Sequence, residues 1–118
     1  MIDKTHQLAA VKSRFAAGYP VEIRCDRGWY QLIIDCDLEL AAIDPDYEVF
    51  QIKEKFGTLR YYFSPSKGME HFRRKMNEIV GVYESVSSYK CELCGQMGAT
   101  LSRNSGWFKT TCKMCTGD

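Results

Sequence analysis

The sequence predicts an α+β fold, and three patterns carry the prediction. Apolar residues recur at helical spacing over residues 4–17, 29–43 and 69–86, while residues 47–63 alternate apolar and polar around Phe56-Gly57. After residue 88 four cysteines follow as two C-x2-C pairs in a stretch with too few large apolar residues to build its own core. The expected architecture is three helices with a small antiparallel sheet and a C-terminal zinc ribbon. Its expected division is an α+β body over 1–87 and a four-cysteine module over 88–118 packed on it.

Leu8, Val11 and Phe15 define the first helix, which Gly18 and Pro20 should stop. Val21, Ile23 and Cys25 then alternate with Glu22 and Arg24 as a short half-buried strand, ended at Asp26 and Gly28. From Trp29 the stripe Leu32, Ile33, Cys36, Leu40 and Ile43 makes the second helix, with Asp35, Asp37 and Glu39 expected on solvated faces. Leu59, Tyr61 and Phe63 share one face of a hairpin whose turn is Phe56-Gly57, because glycine accepts the positive φ of a tight turn. Strand Val21 to Cys25 is expected to join that hairpin antiparallel. Met69, Phe72, Met76, Ile79, Val80, Tyr83 and Val86 form the clearest helical stripe, the third helix. Cys25 and Cys36 lie on apolar faces without close cysteine partners and read as core residues.

The chain has 118 residues, 45% hydrophobic and 26% charged, enough for one folded domain. A net charge of +1 excludes both a strongly cationic nucleic-acid binder and a strongly anionic DNA mimic. The polar start carries no apolar signal segment, and no apolar run is long enough to span a bilayer, so a cytoplasmic protein without membrane contact is expected. In a reducing compartment, clustered cysteines point to metal rather than disulfides.

Cys91 and Cys94 are followed, after seventeen residues, by Cys112 and Cys115. Two intervening residues let one tight turn present both sulfurs to a metal, and two such turns supply the four corners of a tetrahedron. Four thiolates fill that sphere, so the site should hold one structural zinc ion with no open position for a reacting water. Iron accepts the same ligands. Gly95 and Gly117 after the pairs suit the positive φ that closes such knuckles, and Asn104-Ser105-Gly106 suits a turn between two ribbon strands.

Catalysis has little footing. His6 and His71 are the two near-neutral bases, each on an expected helix, and no nucleophile elbow, phosphate loop or metalloprotease motif occurs. No proline precedes either cysteine pair, as zinc deaminase chemistry would require. The expectation is a non-enzyme with no small-molecule substrate. Nucleic-acid binding through the ribbon has Lys90, Arg103, Lys109 and Lys113 behind it, but residues 88–118 also hold two carboxylates, and a zinc tetrathiolate adds two negative charges. Residues 55–63 resemble the aromatic strand of RNA-recognition domains only superficially, since Leu59 stands where a stacking ring is needed.

The candidates for partner binding are Lys53, Lys55 and Arg60 at the hairpin, and Arg103, Trp107, Lys109 and Lys113 in the ribbon. Met97, Phe108 and Met114 add large apolar side chains that so small a module cannot wholly bury.

Gly28-Trp29 before a helix, Lys53-Glu54-Lys55-Phe56-Gly57-Thr58-Leu59-Arg60 in a hairpin, and Cys91-x2-Cys94-Gly95 followed by Gly106-Trp107 and a second cysteine pair resemble a group of small bacteriophage and prophage proteins. The resemblance runs from the end of the first helix to Cys115. Many members of that group end in a Cys-x2-His pair, where this chain has Cys112 and Cys115. The resemblance implies a mobile-element origin, a bacterial host cytoplasm and action by binding host factors, and no activity is attached to the group. The resulting expectation is a zinc-stabilised module that binds a host protein complex processing nucleic acid or serving defence, an anti-CRISPR-like inhibitor being one form. The alternative is a small DNA- or RNA-binding regulator acting through the ribbon.

Overall fold

The computed structural model describes residues 4–104 and 107–116, and of Asn104 and Trp107 the backbone alone. Helix α1 (Thr5–Lys12) leads to a short strand β1 (Ile23–Arg24), a 3-10 turn over Arg27–Trp29, and helix α2 (Tyr30–Ile43). Strands β2 (Glu48–Lys55) and β3 (Thr58–Ser64) form the hairpin, and helix α3 (Arg73–Ser87) follows. The ribbon comprises β4 (Thr100–Asn104), β5 (Trp107–Thr111) and a single helical turn α4 (Lys113–Thr116). The class is α+β, as the patterns predicted.

Two local expectations give way to long-range pairing. The first helix ends at Lys12 rather than near residue 17, because Arg14 and Ala16 hydrogen-bond Val49 across the sheet edge: Val49 N–H donates to Arg14 O and Ala16 N–H to Val49 O, each 2.9 Å. Phe15 still packs on the core. Strand β1 pairs β2 in parallel, with Ile23 opposite Ile52 and Arg24 opposite Lys53, so the sheet is mixed rather than wholly antiparallel. The reason is topological: α2 carries the chain back to the end of the sheet from which β1 started, and a strand-helix-strand crossover yields parallel neighbours.

The β2–β3 turn is tight, with both Phe56 (φ 52°) and Gly57 (φ 84°) left-handed. A phenylalanine there is strained. Its ring is engaged edge-on by Phe108, and Glu54 accepts the Gly57 N–H at 2.7 Å. At the other end of the hairpin the register slips between Val49 and Gln51, leaving Phe50 as the extra residue of a bulge.

Leu59, Tyr61 and Phe63 turn toward the helices and pack with Trp29, Ile33, Leu40, Val49, Ile52 and Met76. Cross-strand partners share a face, so the register puts Arg24, Lys53 and Arg60 in one row on the opposite face, with Gln51 and Tyr62 beside it. Phe72, expected in the core, lies at the exposed start of the third helix against His71. Cys36 is buried and Cys25 packs against the core.

Asp37 corrects another expectation. It is buried (4% exposed), not solvated, and Arg14 reaches it at 2.5 Å while the Tyr47 hydroxyl donates to it at 2.6 Å. The Tyr47 and Tyr61 hydroxyls are in turn 2.6 Å apart, and burial pushes both well above the ordinary phenol range. This network ties α2 to β3, to the residue that leads into β2 and to the segment after α1. Asp44 does the same further along, accepting from the Ser66 N–H and hydroxyl at 2.7 Å.

The outer edge of β3 is closed by side chains of α3. Leu59 N–H donates to the Ser87 hydroxyl at 2.8 Å and Tyr61 N–H to Glu84 at 2.9 Å. Ser87 is fully buried, so Ser87→Ala should leave a buried N–H unpaired and lower stability by about 1–3 kcal/mol. A urea midpoint close to wild type would show that Leu59 finds another acceptor.

Candidate metal centre

The first knuckle is built by backbone geometry. Cys91 N–H donates to Gln96 O and Gly95 N–H to Cys91 O, both at 2.8 Å, and Gly95 (φ 86°) turns the chain back. Lys90 bridges Met97, and Ala99 N–H reaches Tyr89 O at 2.9 Å, which closes the loop below the cysteines. The second pair sits where β5 passes into α4: Cys115 and Thr116 N–H both donate to Cys112 O, which also accepts the Thr116 hydroxyl at 2.7 Å.

These turns bring the sulfurs of Cys91, Cys94, Cys112 and Cys115 within 4.8 Å of one another. The Cys94 and Cys112 sulfurs are 3.7 Å apart, close to the roughly 3.8 Å edge of a tetrahedron with metal–sulfur bonds of about 2.3 Å. The four thiols therefore form a site that can bind a metal ion. Burial would raise the Cys91 thiol, but the N–H groups of Cys112, Cys94 and Leu93 outweigh it and bring it down to about 6. Shared hydrogen bonds with Cys112 and Cys94 hold Cys115 up at about 12. A metal cation would displace the remaining protons and hold all four as thiolates. With four protein ligands the sphere is closed, so the ion's contribution would be cross-linking rather than reaction.

The ribbon is fastened to the body at two places. At the knuckle, Gly28 N–H donates to Glu92 O at 2.7 Å, the Trp29 indole N–H to Lys90 O at 2.8 Å, and Asp26 N–H to the Glu92 carboxylate at 3.0 Å. At the hairpin tip, the Thr110 hydroxyl donates to Gly57 O at 2.6 Å and Leu101 lies over Gly57. Glu92 is buried, and burial raises its carboxyl above the usual range even though the Asp26 N–H and Lys109 act against it. None of Asp26, Gly28, Trp29 or Glu92 was singled out in the sequence as a docking residue, and the Gly28-Trp29 pair was the one signal that could have pointed there.

The candidate partner residues separate into two groups. Lys53 and Arg60 are cross-strand neighbours, half-buried on the outward sheet face, and Lys55 is exposed at its end with its ammonium 5.9 Å from the Phe56 ring. In the ribbon, Lys109 is committed internally, with its ammonium 2.7 Å from Asp26 and 3.5 Å from Glu92. The Arg103 guanidinium sits over the Phe108 ring at 5.5 Å, and Lys113 is exposed. The Trp107 side chain, Gly106 and Gly117 lie outside the described residues. Met97 (53% exposed) and Met114 (91%) flank the sulfurs, and with Gln96 and Lys113 they border a cleft of about 370 Å3.

His6 and His71 are both exposed and far apart in the sequence. Among the described residues no helix is long and apolar enough to cross a membrane. No known protein family, curated protein or solved structure matches the chain.

Proposed function

We propose that this chain is a non-enzymatic binding module, cross-linked by one zinc ion and encoded by a phage or prophage. Its target would be a protein of a bacterial host complex that processes nucleic acid or serves defence, and anti-CRISPR-like inhibition is one form of that role. The observation that carries the reading is the exposure of Met97 and Met114 on either side of the four cysteines. Unbranched, polarizable side chains around a cleft make an adaptable apolar contact surface, and such residues are enriched at protein interfaces. Zinc suits the donor set because it takes four thiolates without a geometric preference of its own. The mobile-element origin and host cytoplasm rest on the resemblance described above.

Nucleic-acid recognition through the ribbon has less support. Lys109 is neutralised by Asp26 and Glu92, Arg103 lies on Phe108, and a zinc tetrathiolate carries two negative charges.

The test is affinity purification of the tagged, metal-replete protein from nuclease-treated host lysate. One stoichiometric host protein should remain with wild type and be lost with M97D and M114D, while metal analysis of each variant still returns one equivalent of zinc. Retention of the same partner by both variants would place the contact elsewhere, and loss of every partner on nuclease treatment would sink the protein-docking reading.

A further inference from the structure

One surface is not used by the metal centre or by the contacts that hold the ribbon: the face of the three-stranded sheet turned away from the helices. Arg24, Lys53 and Arg60 stand abreast on it, one per strand, with backbones about 4.8 Å apart. Lys55 continues the cationic row along β2. Like charges directly opposite each other destabilise a sheet, so three cations in register are a cost that the fold itself does not explain. Among the described residues no carboxylate forms a salt bridge with Lys53, Lys55 or Arg60. Among the described residues Arg24 has Glu22 alone, at 3.5 Å with both side chains mostly in solvent, an arrangement that contributes little. The Arg60 Nε is buried and has no acceptor among the described residues.

At the Arg24 end of the cationic row lies a groove of about 360 Å3 lined by Tyr19, Phe50, Gln51 and Tyr62 and by the Glu22–Arg24 pair. The Tyr19 and Phe50 rings are 4.9 Å apart, and Tyr62, at 42% exposed, leaves its ring accessible on the open face. The touching Tyr19 and Phe50 rings and the nearby Tyr62 offer an aromatic surface for stacking at the side of the groove, and the Gln51 amide can both donate and accept there. Cations for phosphates next to aromatic rings for bases is the chemistry of single-strand binding, because only unpaired bases can leave their stack to enter such a slot. The sequence comparison with RNA-recognition strands failed on Leu59, but the register shows that Leu59 faces the core and that Arg60 and Tyr62 face outward.

We infer that the outward sheet face is a platform for single-stranded nucleic acid, with phosphates along Arg24, Lys53 and Arg60 and a base in the Tyr19–Phe50–Tyr62 groove. This surface is distinct from the methionine cleft, so either reading can fail without the other.

Fluorescence anisotropy of the zinc-replete chain with labelled oligo-dT and oligo-U at low salt tests it, the two arms showing whether DNA or RNA is preferred. Three phosphate contacts on a single strand give a salt slope of about −2, hence a roughly 20-fold loss of affinity for a fourfold rise in salt. K53E should weaken binding at least about tenfold and Y62A about tenfold, while Y62F retains it and K113E on the ribbon has no effect. Tyr62 and Lys55 are exposed, so Y62A and K55E keep the test valid if K53E fails to fold, and circular dichroism checks each variant. The inference is overturned by no binding to either oligonucleotide, by equal affinity for a duplex, by equal affinity for a poly-glutamate peptide, or by K113E costing as much as the sheet variants.

Discussion

Cys91→Ser is expected to release the metal and unfold the ribbon from residue 89 onward. Metal binding contributes roughly 10–16 kcal/mol in small zinc peptides, and the ribbon has little else. Its buried apolar cluster is Cys91, Ala99 and Cys112, with Leu93 and Cys115 against it, so two of the cluster's three buried members are candidate metal ligands. The body keeps its own core of Trp29, Ile33, Leu40, Val49, Ile52, Leu59 and Met76. It should remain folded at a lower melting temperature, because the Trp29 indole loses Lys90 O and Gly57 loses Thr110. Metal analysis and amide NMR of the variant check this. A variant that retained one equivalent of zinc and a dispersed ribbon spectrum would rule out the four-thiolate site. Chelation of the wild-type metal should give the same spectrum, which separates loss of the ion from the effect of the serine.

Gly28→Ala should be nearly as damaging, for a steric reason. A Cβ at Gly28 would lie 2.2 Å from Cys91 O and 2.4 Å from Glu92 O. Both are backbone atoms held by other hydrogen bonds, since Glu92 N–H is tied to Thr110 O at 2.9 Å and Cys91 N–H to Gln96 O at 2.8 Å. No side-chain rotation relieves the clash. The knuckle must move off the 3-10 turn, which breaks the Gly28-to-Glu92 and Trp29-to-Lys90 bonds together. We expect a loss of about 3 kcal/mol, at the upper end of overpacking effects, read as a fall in the denaturant midpoint. Gly81→Ala is the matched control: it lies on the exposed side of α3 with nothing within 4 Å of its Cβ, and should gain about 0.5–1 kcal/mol from helix propensity. Equal effects from the two alanines would mean that Gly28 is not a close-approach glycine.

Much of this was legible in the residues, and what was not has a common cause. The stripe Leu32, Ile33, Cys36 and Leu40, the alternation Leu59, Tyr61 and Phe63, and the Phe56-Gly57 turn report local geometry, and the structure keeps all of them. Asp37 was misread because helical spacing gives the direction of a side chain but not what waits there; Arg14, Tyr47 and Tyr61 arrive from three other segments. Lys109 counted as a free cation until the fold set it against Asp26, 83 residues away in the chain.

The sequence by itself determined the four-cysteine cluster, because a C-x2-C turn is a local structure and two of them supply four sulfurs. It determined the helices and hairpin for the same reason, since their periods are set by neighbouring residues. Only the tertiary structure decided that β1 runs parallel to β2, that α1 yields its last turn to the sheet, and that the ribbon seats on Gly28 and Gly57. It also decided which basic side chains lack a carboxylate partner among the described residues, and that Arg24, Lys53 and Arg60 stand in one row. Strand direction, docking and charge pairing depend on where distant segments meet, and that is fixed by packing the whole chain around one core rather than by any short window of it.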